Sequence, residues 1–106
     1  ISWELDQDSW QAGWRLQKLY FSRNGSNWGN LPDCTVKAFK LTEDDRRTGL
    51  ASTAQLISND KRMRIWDEND NEPGTQCITH YRLHAVNPGT GQSADSDPII
   101  DNRGRN

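Results

Sequence analysis

Cys77-Ile78-Thr79-His80-Tyr81-Arg82-Leu83-His84-Ala85-Val86 lies in the longest run of the 106-residue chain that lacks Gly, Pro, Asn and Asp. It holds one of the two cysteines and both histidines. Successive side chains of a strand leave on opposite faces, so a half-buried strand alternates apolar and polar positions. Here one face reads Cys77, Thr79, Tyr81, Leu83, Ala85, and the other Ile78, His80, Arg82, His84, Val86. This reading predicts the central strand of a small sheet, and Asn87-Pro88-Gly89 breaks it.

Two further alternating segments lie upstream. Trp14 to Phe21 reads as a strand, and so does Cys34 to Leu41, with Val36, Ala38 and Lys40 opposite Thr35, Lys37, Phe39 and Leu41. Between them, 22–33 is a turn-rich loop holding Asn24-Gly25, a favoured hairpin centre, and the solitary Trp28. A strand from Ala54, a turn at Asn59-Asp60 and a return over 61–67 form a hairpin; in the return, Met63 and Ile65 face away from Arg62, Arg64 and Trp66. Thr42 and Asp45 have capping-box spacing, and Gly49 would stop the helical turn they start. Trp3, Trp10 and Trp14 are spaced as one face of a helix near the amino end. Residues 89–97 are small and polar and read as mobile. Pro98-Ile99-Ile100 adds a short edge strand before a tail that frays from about 101.

These elements predict an all-β fold, a small disulfide-stapled β-sandwich or partly open barrel of about six strands. The alternative is α+β with one short helix, near the amino end or within 42–57. The length suits a single β-rich domain over 1–106. Leu, Ile, Val and Phe supply only about a sixth of the chain, so five tryptophans must carry much of the apolar area. Trp14 and Trp66 are assigned to the core. A core this thin favours a staple between Cys34 and Cys77, joining the second strand to the central one. A secreted or extracellular location follows from that staple, and Ile1 is a first residue that a processed chain would show.

The formal charge is −2, with 13 basic and 15 acidic residues. Its basic pairs, Arg46-Arg47 and Lys61-Arg62-x-Arg64, are flanked by acids. No nucleic-acid partner is expected from such a mixture. No apolar run is long enough to span a bilayer as a helix, so no membrane partner is expected either. Asn24-Gly25-Ser26 matches a glycosylation acceptor.

Asp67, Asn69, Asp70 and Glu72 crowd one loop, and hard cations such as calcium take oxygen ligands of this kind. Asp67-Glu68-Asn69-Asp70-Asn71-Glu72-Pro73 resembles the calcium-binding linker motif of cadherin repeats over seven residues. The other acidic motifs of a cadherin are not at their distances, so membership is not implied. A solvated loop is the expectation, with no metal and no cofactor.

His80, Arg82 and His84 share a strand face and could supply an acid, a base and a phosphate clamp. At the usual rise, however, the two imidazoles stand about 13 Å apart. A small ribonuclease or other hydrolase is therefore the rival of a different class, behind a non-catalytic reading. The preferred function is a binding module whose exposed aromatics, Trp28 first and then Trp10 and Trp3, hold a glycan or protein ligand. A microbial effector or toxin-like protein acting on a host protein fits the same features.

Overall fold

A computed structural model of the chain describes residues 1–68, 77–96 and 99–102, with side chains over 1–68 and 79–95. The central strand is present as β5 (Cys77–Asn87), and of its two faces the one that carries Thr79, Tyr81, Leu83 and Ala85 turns inward. Thr79 and Tyr81 are buried, and Leu83 and Ala85 pack against the core. β2 (Arg15–Ser22) pairs antiparallel with β5, matching Phe21 to Tyr81, Leu19 to Leu83 and Leu16 to Ala85. Strict alternation would put Leu16 and Leu19 on opposite faces. A bulge between Leu16 and Lys18 inserts one residue, so both point inward.

On its other side β5 pairs with β6 (Gln92–Ser96) and β7 (Ile99–Asn102), giving a four-stranded antiparallel sheet. β6 corrects the expectation of a mobile 89–97. The Asn87 carbonyl accepts from Thr90 and Gly91, closing a turn that lays 92–96 along β5. An edge strand held by backbone bonds has no need of large apolar side chains. β7 runs through Asn102, and the rest of the expected tail lies outside the described residues. A second antiparallel sheet has β4 (Arg62–Arg64) between β1 (Ser2–Glu4) and β3 (Gln55–Ile57). Its inward row pairs Trp3 with Met63, and its outward rows carry Ser2, Arg64 and Gln55, then Glu4, Arg62 and Ile57.

Three short helices complete the described residues. α1 (Gln7–Gln11) is capped by Asp6, whose carboxylate accepts from the Ser9 amide at 2.7 Å. Hydrogen bonds from the Ser9 backbone, then from its hydroxyl, hold the Asp6 carboxyl below its usual value. α3 (Glu43–Thr48) carries the capping box of Thr42 and Asp45 and stops at Gly49, as the sequence predicts. α2 (Asp33–Ala38) replaces the strand expected over 34–41. Its buried residues, Thr35 and Ala38, with Phe39 following, stand three and four apart and so share a helical face. Pro32 sits extended at the N-cap, and Asp33 favours a first turn. The decision is tertiary: Thr35 Oγ1 meets Thr79 Oγ1 at 3.0 Å, and Phe39 stacks on Phe21 with ring centroids 4.5 Å apart.

Among the described residues the architecture is thus β-rich with three helices and two antiparallel sheets, an α+β arrangement. It corrects the all-β sandwich or barrel, because 31–41, a helix with its flanks, supplies Leu31, Ala38, Phe39 and Leu41 to the core. The strand-to-strand placement of the expected staple is corrected too. Cys34 lies in a helix, and no disulfide joins two described side chains. Cys34 is not a free thiol, and the side chain of Cys77 lies outside the described residues. Trp66, assigned to the core by the sequence reading, is 69% exposed, and Trp14 is half-buried outside the core cluster.

Candidate functional site

The loop that carries Trp28 is built from its own hydrogen bonds. An antiparallel bridge between Ser22 and Trp28 closes it at the end of β2. The buried Ser22 hydroxyl donates to the Asn27 carbonyl at 2.7 Å and accepts from the Asn24 and Gly25 amides at 3.2 and 2.9 Å. Asn24 Oδ1 accepts from the Ser26 and Asn27 amides, each at 2.9 Å. The side chain of the candidate glycosylation residue therefore shapes the turn, while the residue itself is exposed. Bonds of this kind let polar loop residues hold one backbone conformation without a strand ladder.

Two glycines seat the loop against the end of α3. Gly29 and Gly49 are both buried at positive φ, +114° and +83°. A Cβ at Gly29 would collide with the Arg47 carbonyl oxygen, and one at Gly49 would stand 2.9 Å from the Gly29 nitrogen. This close approach sets Arg47 beside Trp28. The result is a depression of about 580 Å³ lined by Arg23, Asn27, Trp28, Asn30 and Arg47, with Asn24, Ser26 and Gly29 completing the wall. Arg46, the neighbour of Arg47, turns elsewhere. It bonds Asp33 at 2.7 Å, Glu43 at 2.9 Å and the Leu31 carbonyl at 3.1 Å, and its pKa is raised by Asp33, then Glu43.

The outer face of β5 lies behind this loop. The Arg82 guanidinium stands 4.4 Å from the Trp28 ring centroid and 5.3 Å from that of Tyr20. Its Nε is buried and has no hydrogen-bond partner among the described residues. The cation thereby orients the indole from one face by cation–π attraction. His80 lies against Gly25 of the loop. His84 stands further along the strand and meets Asp95 of β6 through Nδ1 at 2.7 Å. The three residues of the hydrolase reading are therefore engaged separately: His80 with the loop, Arg82 with two aromatic rings, His84 with Asp95. Among the described residues, no three His, Cys, Asp or Glu side chains gather as a metal site. The acidic loop at 69–72 lies outside the described residues; of its flank, Glu68 pairs with Lys40 at 3.2 Å.

The three tryptophans predicted to bind ligand occupy three separate places. All three are half-buried rather than exposed as expected, and Trp28 lines the depression. Trp10 on α1 is covered by the Arg15 guanidinium, 3.7 Å from its centroid. Trp3 is turned inward, its indole N–H donating to the Tyr81 hydroxyl at 2.7 Å, and it borders an apolar cleft of about 170 Å³ with Leu5, Leu16 and Leu83. Trp66 is not among these three. It stands with Arg64 and Gln55 beside a second depression of about 540 Å³ on the outer face of the three-stranded sheet. The signal was available, since alternation through β4 sets Trp66 on the side of Arg62 and Arg64, away from Met63 and Ile65. Arg47 carries no such signal in the sequence, because it comes to Trp28 only through the packing of Gly29 on α3.

No family model matches the chain, and it matches no curated protein and no solved structure. Among the described residues, no helix is long and apolar enough to cross a membrane.

Proposed function

We propose that the protein is a non-catalytic binding module that takes a glycan in the depression beside Trp28. The observation that carries this reading is the loop itself. It is held by its own hydrogen bonds, so the backbone that carries its amides and its indole is ordered before a ligand arrives, which lowers the cost of binding. Sugars offer hydroxyls that pair with planar amides and apolar ring faces that rest on aromatics. The size falls within the range of small-molecule sites, roughly 300–1,000 Å³. The separate engagement of His80, Arg82 and His84 speaks against a catalytic set.

The test is retention on a glycan array by the protein and by Trp28→Ala and Asn27→Ala, each checked for folding by circular dichroism. Retention of a defined set of glycans is expected, with about a tenfold or greater loss of affinity in both variants. Retention that both folded variants keep in full would place the site elsewhere. No retention on any glycan would move the ligand to the protein class.

A further inference from the structure

We infer that the ligand of the Trp28 depression is an acidic glycan, held through a carboxylate or a sulfate ester by Arg23 and Arg47. The inference rests on the glycan reading and adds the charge of the ligand to it. Two guanidinium groups line the depression, and none of its lining residues is a carboxylate. The chain as a whole carries −2, so this is a local reversal of its balance. Carboxylate and sulfate oxygens fit the planar fork of a guanidinium, which two-point bonds make selective.

Both arginines are free to turn to a ligand. Arg23 is exposed and makes no ion pair with a described residue. Arg47 pairs with Asp44 at 2.9 Å, but their side chains are 71% and 82% exposed. An exposed pair three residues apart on a helix contributes little, so an incoming anion displaces it at small cost. Arg46 is the contrast: 30% exposed and tied to two carboxylates and a carbonyl, it is committed to structure. A third guanidinium, Arg82, stands behind Trp28 with no ion pair to a described residue, and adds positive potential on that side. Asn24, Ser26, Asn27 and Asn30 surround the arginines with neutral groups suited to hydroxyls. A lone inorganic anion would leave most of that wall unused.

The experiment is titration calorimetry with three oligosaccharides of matched length: neutral, uronate-bearing and sulfated. Each is measured at about 0.05 M and about 0.5 M salt. The proteins are the full chain, the double variant Arg23→Gln/Arg47→Gln, and Asn27→Ala, each shown to be folded by its thermal melt. One acidic arm is expected to bind about tenfold or more tightly than the neutral one at low salt. That preference shrinks at high salt and disappears in the double variant, and the arm that shows it tells carboxylate from sulfate. A neutral oligosaccharide bound as tightly as both acidic ones overturns the inference, as does a preference that the double variant keeps. If Asn27→Ala abolishes neutral binding in that case, the glycan reading stands and only the charge is wrong. No binding in any arm overturns both.

Discussion

At the scale of single residues, two positions separate what packing demands from what the surface tolerates. Gly29 is demanded. Its φ of +114° lies where side-chain-bearing residues rarely go, and an added Cβ meets backbone that cannot rotate away. Gly29→Ala is expected to cost about 2 kcal/mol or more in urea unfolding. Trp66 is tolerated. With 69% of its surface exposed, Trp66→Ala should change stability by less than about 0.5 kcal/mol, although it deletes the largest kind of side chain. A large loss in Trp66→Ala, or none in Gly29→Ala, would show the packing around these residues to be otherwise.

At the scale of elements, α3 is the best specified. Asp45 is buried, and its carboxylate accepts from the Thr42 amide and from both the amide and hydroxyl of Ser52. Thr42 returns the bond, accepting from the Asp45 amide at 3.1 Å. Removing the carboxylate frees the cap and strands the Ser52 donors together. Asp45→Ala should therefore cost about 2 kcal/mol, and Asp45→Asn less, since one acceptor oxygen remains. Equal losses in the two variants would mean that charge, not hydrogen bonding, holds this end of the helix. α2 is the opposite case. Alternation reads its residues as a strand, and contacts with Thr79 and Phe21, distant in sequence, select the helix. Propensity is a weak prior that such contacts override.

At the scale of the whole molecule, Trp3 and Tyr81 join the two sheets. Their rings stand 5.0 Å apart, and the indole N–H donates to the phenol. Met63 and Ile65, brought in by β4 and the residue following it, share one core cluster with Leu19 and Phe21 of β2. Unfolding is expected to be a single transition by fluorescence and by circular dichroism. Trp3→Phe should lower the stability of that transition by about 1–2 kcal/mol, through the lost bond and lost area. Two separated transitions in the unaltered protein would show the sheets to be independent.

Features that depend on neighbours along the chain are legible in its residues. The face of β5 that turns inward follows from alternation, the capping box of α3 from a spacing of three, and the turn after β5 from Asn87-Pro88-Gly89. Trp28 stands out in the sequence because a lone indole in a Gly- and Asn-rich loop has no periodic apolar face to join, and the structure sets it on the wall of a depression. The tertiary structure decided what depends on partners far away in sequence. It turned 33–38 into a helix by docking Thr35 on Thr79, and it made a strand of 92–96 by offering the β5 edge. It also set Arg47 beside Trp28 through the contact of Gly29 with α3. The reason is physical: local patterns set which side chains share a face, whereas burial and hydrogen-bond satisfaction are settled only when separate faces meet.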